Sequence, residues 1–146
     1  ALVYVPAPAA IDAVFEGLDA GCKVIVYPGD GLPVQDAIEI RAAALAKGAL
    51  LVGPNTPGVI SPGKCKLGFM PSLCYTPGPL GIISRSGSLS YEAGWRLTTA
   101  GLGQTTVIGI GGDPVKGLNA AEAVELLHAD PETKAILYLG EIGGSD

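Results

Sequence analysis

Charge is scarce in this chain. Asp, Glu, Lys and Arg make up 16% of its 146 residues, and the nine basic side chains form no block. That argues against nucleic acid as a partner, because binding a phosphate backbone needs clustered Lys and Arg. Long apolar runs are also missing, and none approaches the ~18 residues that a membrane-spanning helix requires. The three cysteines, Cys22, Cys65 and Cys74, are odd in number and lack C-x-x-C spacing. They read as reduced thiols in a reducing compartment, not as a disulfide frame or a metal cage. Histidine occurs once, as His128 in Leu127-His128-Ala129-Asp130-Pro131. A helix is expected to end there, so the ring reads as solvated or as compensating the helix dipole. No Ser–His–Asp set and no Cys–His pair can be assembled.

Apolar residues and glycine fill the space that charge leaves. Mean hydropathy is +0.41, too high for a disordered chain, and 22 glycines stand beside 12 prolines without a repeating period. Apolar runs of four to six residues suit strands buried on both faces of a parallel sheet. In order, the pattern predicts strands over 2–5, 23–27 and 50–52, with helices over 9–20 and 34–47 that stop at Gly21 and Gly48. Gly53 to Gly58 reads as a junction and Ser61 to Pro79 as irregular, with a short strand at 66–69. A second α/β series follows: a strand from Leu80, a helix to about Ala100, a strand over 105–110, a helix over 118–129 and a strand over 134–139. Alternating strands and helices imply parallel sheets with right-handed crossovers. In such sheets ligands sit beyond the carboxyl ends of the strands, where Pro6 to Pro8, Pro28 to Gly31 and Gly53 to Pro57 all fall. The sequence opens directly on a strand and stops where another helix is expected, so it reads as the internal part of a longer polypeptide.

The stretch with most chemistry is Gly81 to Gly103. A buried strand leads into Ser84-Arg85-Ser86-Gly87-Ser88 and then into a helix with Leu89, Ala93 and Leu97 spaced for one face. A helix start has backbone N–H groups without intrahelical partners. Those donors, the positive end of the dipole and the serine hydroxyls suit a phosphate or oxyanion at Ser86, Gly87 and Ser88. The same residues also suit an ordinary capped turn with Ser86 or Ser88 as N-cap. Glu141 follows the last strand among glycines. It could orient or deprotonate a ligand, or satisfy backbone N–H groups in its turn.

Several runs together resemble one family. VPAP at Val5–Pro8, GPNTPGVISPG, GIISRSGSLSYEA, IGGDP and GEIGGSD are similar to the α subunit of succinyl-CoA synthetase, in that family's order across essentially the whole chain. The resemblance implies the C-terminal part of a Rossmann-like CoA-binding domain over residues 1–52 and the first part of a flavodoxin-like ligase domain over 53–146. It implies an acid–CoA ligase reaction through a phosphohistidine, with a nucleotide-binding β subunit that takes ATP or GTP with Mg. It implies that Glu141 orients the histidine ring, that Ser86, Gly87 and Ser88 hold the phosphoryl group, and that Tyr91 meets the acid. Coenzyme A would lie against Val5, Pro6, Pro28, Gly29, Asp30 and Asn55, and the setting would be a cytoplasm or a mitochondrial matrix. The family's CoA phosphate loop and its histidine have no counterpart in these residues, so this segment by itself is expected to be inactive. Thr56 stands where many members have cysteine, and Pro28-Gly29-Asp30 replaces Ile-Thr-Glu. Such changes suit a malate– or citrate–CoA ligase as well as a succinate one, and a non-catalytic CoA-binding module is a further alternative.

Overall fold

The computed structural model describes residues 1–142; Gly143-Gly144 and the end of the GEIGGSD run lie outside the described residues. Two sheets organise the chain. The smaller has two parallel strands, β1 (Val24–Val26) and β2 (Leu50–Val52), in register from Val24↔Leu50 to Val26↔Val52. Helices α1 (Ala7–Asp19) and α2 (Val34–Ala46) pack against it. Ile25, Tyr27 and Leu51 share a core with Ala10, Val14 and Leu18 of α1 and with Ala37, Ile40 and Ala44 of α2. Both helices end as the glycines predict, with Gly21 and Gly48 at positive φ just past the last turn.

The expected strand over 2–5 does not form. Leu2 makes a single parallel bridge to Val26, and the chain then turns away with Tyr4 exposed. Proline explains this. Pro6 takes the N-cap of α1 and Pro8 sits in its first turn, where a missing N–H costs nothing. The helix therefore begins earlier than its apolar spacing suggests.

The larger sheet holds β3 (Gly58–Ser61), β4 (Cys65–Gly68), β5 (Pro77–Ser84), β6 (Gln104–Gly109) and β7 (Ala135–Leu139), in the order β4-β3-β6-β5-β7. β5 runs parallel to β6 and β7, as α/β units require, whereas β3 is antiparallel to both β4 and β6. The sheet is thus mixed instead of wholly parallel. The expected short strand over 66–69 forms one residue earlier as β4, and the rest of 61–79 is more regular than expected, with a 3-10 turn at Ser72–Cys74 and the start of β5. The hairpin turns at Ser61-Pro62-Gly63-Lys64, where Lys64 N–H donates to the Ser61 carbonyl at 2.9 Å and Gly63 has φ +77°. Proline then glycine is the signature of a type II turn.

Helices α3 (Gly87–Thr99) and α4 (Ala120–Ala129) cover opposite faces. Ile60, Ile82 and Val107 face α3 with Met70 and Tyr75. Ile83 and Ile108 face α4, and there Val26 and Val52 of the smaller sheet enter the same core. Arg41 of α2 ties the two sheets further: it donates to the carbonyls of Lys116 (2.6 Å) and Gly117 and pairs with Glu122 of α4 at 3.0 Å. The buried face of α3 is Ser90 and Gly94; of the expected stripe, Leu97 packs half-buried against the same core, whereas Leu89 is exposed. Tyr75 is the reason. Its ring lies where a Cβ on residue 94 would be, so the helix approaches the sheet through its smallest residues. No helix of the described residues is long and apolar enough to cross a membrane.

Candidate functional site

The carboxyl ends of the parallel strands from both sheets converge on one cleft of about 270 Å³. Connection order reverses at β5: the chain leaves it for β6 on one side, then crosses over to β7 on the other. Open α/β sheets leave a crevice at such a point. Arg85, Ser86 and Gly87 enter it from the end of β5, Gly112 from beyond β6 and Glu141 from beyond β7. Pro28 follows β1, and Asn55, Thr56 and Pro57 follow β2. Phe69 closes one side from the end of β4, and Tyr91 reaches in from α3.

Local bonding shapes the anion side. The buried Ser84 hydroxyl donates to the Ser86 carbonyl at 2.6 Å, which holds the turn. Ser86 is the N-cap of α3, and its Oγ accepts from Leu89 N–H at 3.4 Å. Its hydroxyl also lies 3.3 Å from that of Ser88. Arg85 joins three strand ends. Its amide donates to Leu139, its Nη2 donates to the Gly112 carbonyl at 3.2 Å, and its Nε lies 3.8 Å from Glu141 Oε2. The Arg85 side chain is only 8% exposed, against 51% for Glu141. A mostly buried guanidinium beside a helix N-terminus suits an anion, with one open carboxylate at its rim.

The other side is different. Thr56 is buried, and its hydroxyl donates to the Gly109 carbonyl and accepts from Gly58 N–H at 2.9 Å. Asn55 adopts φ +54°, which asparagine tolerates. Its amide donates to Gly29 O at 2.7 Å and its side-chain nitrogen to Asp113 at 2.9 Å. Tyr91 is half-buried, and burial first, then Cys74 and Tyr4, pushes its phenol above the ordinary value. It is therefore a neutral donor at physiological pH.

Six of the residues singled out from the sequence thus line one cleft: Pro28, Asn55, Ser86, Gly87, Tyr91 and Glu141. Five others do not line it. Ser88 reaches it only through the Ser86 hydroxyl. Gly29 stands behind Asn55, bonded to its amide. Asp30 lies near Tyr27, whose phenol is raised first by burial and then by Asp30 and Asp113. Val5 packs on the core under α1, and Pro6 caps that helix. His128 sits in the last turn of α4, away from the cleft. Among the described residues no cluster of three or more His, Cys, Asp or Glu could hold a metal. Five further residues line the cleft without having been singled out as site residues: Thr56, Pro57 and Gly112 in strand-end loops, Arg85 inside the motif, and Phe69 at the end of the expected strand 66–69.

Residues 83–146 match the CoA-ligase family model. The fold agrees with that of an ATP citrate lyase from Methanosaeta concilii in complex with (3S)-citryl-CoA, at TM-score 0.91 and 25% identity, covering 98% of this chain and 25% of that one. A dinucleotide-forming acetyl-coenzyme A synthetase from Ca. Korarchaeum cryptofilum shares the fold at TM-score 0.80 and 21% identity, over 98% of this chain and 32% of that one. The chain is also similar to the alpha subunit of succinate–CoA ligase. It is 51% identical to the ADP-forming subunit of Aquifex aeolicus over 99% of this chain and 48% of the relative. Identity to the alpha 2 subunit of Archaeoglobus fulgidus is also 51%, over 99% of this chain and 50% of the relative. The chain spans about half the length of these curated relatives.

Proposed function

We propose that this chain supplies part of the α subunit of an acid–CoA ligase that forms succinyl-CoA from succinate, CoA and ATP or GTP. The observation that carries the reading is the cleft in which Ser86, Gly87, Arg85 and Glu141 meet, inside a sequence half identical to succinate–CoA ligase subunits. The phosphoryl group travels on a histidine outside these residues. The amides at the start of α3, the Ser86 hydroxyl and the Arg85 guanidinium receive its oxygens, which suits charge that develops during transfer in a site with little water. Glu141, at the rim, accepts a hydrogen bond from the histidine ring and so selects which nitrogen is nucleophilic. Tyr91 donates to the acid.

In this reading residues 1–52 belong to the CoA-binding domain and 53–146 to the ligase domain. CoA runs past Val5, Pro6, Pro28, Gly29, Asp30 and Asn55. The loops suit a thin chain, since Gly29 carries no side chain and a Cβ there would overlap the Tyr27 ring. A nucleotide-binding β subunit completes the enzyme and supplies ATP or GTP with Mg. The bacterial and archaeal relatives favour a cytoplasmic setting over a mitochondrial one.

The test is to incubate the full-length protein and its partner subunit with radiolabelled ATP or GTP and Mg. An acid-labile phosphoprotein that discharges on adding succinate and CoA, with succinyl-CoA as product, is expected. CoA binding without phosphoprotein or thioester would sink the ligase reading in favour of a non-catalytic module. The fold agreement with ATP citrate lyase supports a second reading, in which citrate or malate replaces succinate. The same assay with those acids decides between them.

A further inference from the structure

Two buried hydroxyls stand beneath the turn that opens α3. Ser84 and Ser90 are both 0% exposed. Ser84 ends β5 two residues after Ile82, on the sheet face that α3 covers, and Ser90 is on the face of α3 that meets it. A hydroxyl in such a layer costs free energy unless it finds a partner.

Both find one on the same turn. The Ser84 hydroxyl donates to the Ser86 carbonyl at 2.6 Å, and the Ser90 hydroxyl donates to the Gly87 carbonyl at 2.7 Å. Ser90 has one proton and spends it there, so the Tyr75 hydroxyl, 3.4 Å away, is the donor in their contact. A trans peptide is planar, and its C=O and N–H point to opposite sides. Drawing the Ser86 carbonyl towards Ser84 sets the Gly87 N–H the other way, and drawing the Gly87 carbonyl towards Ser90 does the same for the Ser88 N–H. The two serines lie inside, whereas Ser86 and Gly87 line the cleft. Among the described residues neither amide makes a hydrogen bond of its own. Position 87 needs the restraint most, because glycine has the freest backbone.

We infer that Ser84 and Ser90 are positioning residues: their hydroxyls hold the first turn of α3 so that the Gly87 and Ser88 amides present a fixed pair of donors to a phosphoryl group. The inference rests on the ligase reading above and names what preorganises its anion side. Donors fixed in advance stabilise developing charge without reorganising during the transfer.

The experiment runs the full-length ligase with its partner subunit in the thioester-cleaving direction, on succinyl-CoA, ADP or GDP, and inorganic phosphate. Wild type, S84A, S90A and S90T are compared, with a melting curve for each. S84A and S90A should raise the KM for phosphate about tenfold and change the KM for succinyl-CoA less than about twofold. S90T keeps the hydroxyl and should keep the phosphate KM near wild type, even where its extra methyl lowers the melting temperature. Lower stability with an unchanged phosphate KM, or an equal rise for both substrates, would overturn the positioning role while the ligase reading stands. So would an S90T as impaired as S90A, since the hydroxyl would then not matter. A wild type that forms no phosphoprotein and consumes no thioester would overturn the ligase reading itself, and this inference with it.

Discussion

Helices α3 and α4 start from the same edge of the same sheet, and only α4 is closed at its start. At α4 a capping box uses the donors up. Asn119 accepts from Glu122 N–H at 2.9 Å, and the Glu122 carboxylate takes the Asn119 N–H at 2.8 Å. Glu122 also holds Arg41. At α3 the cap is a lone serine with a 3.4 Å bond, and an arginine waits beside it. The first-turn donors of α4 are satisfied by its capping box, whereas those of α3 are left with the weaker serine cap and so suit an anion. The packing is reversed as well. On α3 a glycine of the helix, Gly94, admits the Tyr75 ring, whereas on α4 Leu127 of the helix presses on Gly81 of β5.

Closing α3 chemically should have the largest effect. Aspartate caps helices as well as serine does, so Ser86→Asp should keep or raise the melting temperature. Its carboxylate would occupy the anion site and lower ligation by the full-length enzyme by about 100-fold, the scale of losing one preorganised donor. An active Ser86→Asp enzyme would show that no anion binds there. Next comes the packing contrast. Gly94→Ala should destabilise by about 1–3 kcal/mol through overpacking against Tyr75, although alanine is the better helix former. Gly81→Ala should cost less, because it meets the mobile end of Leu127 at 2.7 Å. Denaturant melts of both rank them, and the reverse order would refute this account of the two helices.

The caps themselves come third. Asn119→Ala should cost about 1 kcal/mol and Ser86→Ala less, since the serine bond is already long; calorimetry resolves the two. The smallest effect concerns pH. Burial pushes the Tyr75 phenol up to about 12 from an ordinary 10.0. Below pH 10 the ring is neutral in both folded and unfolded chains, so its contribution is fully present. Between 10 and 12 the unfolded chain ionises first, and stability is lost as pH rises. Tyr75→Phe should make that alkaline decline shallower. It should not abolish it, because Tyr27 and Tyr91 are raised in the same direction.

The parallel strands and their helices were legible because their signals are local: β-branched runs bounded by glycine, and helix stops at Gly21 and Gly48. Of the β3–β4 hairpin only β4 was legible, as the short strand over 66–69; β3 and the pairing were hidden because β3 is short and the hairpin closes through paired glycines, which read as loop. Pro62-Gly63 was the available clue. The buried face of α3 was only partly legible from periodicity: Leu97 packs on the core as expected, but a distant ring, Tyr75, selected Ser90 and Gly94 for the closest approach. At the cleft, Ser86, Gly87, Tyr91 and Glu141 followed from motif and strand-end position. Arg85 was passed over because only the fold turns it towards Gly112 and Glu141, on strand ends far away in sequence.

The closure at Gly58 and Gly68 makes the shape of this hairpin a property of its main chain. A side chain at either glycine would push the two strands apart, whereas a change at the exposed position 69 leaves the closure in place. The hairpin is intolerant at two positions and permissive at the next.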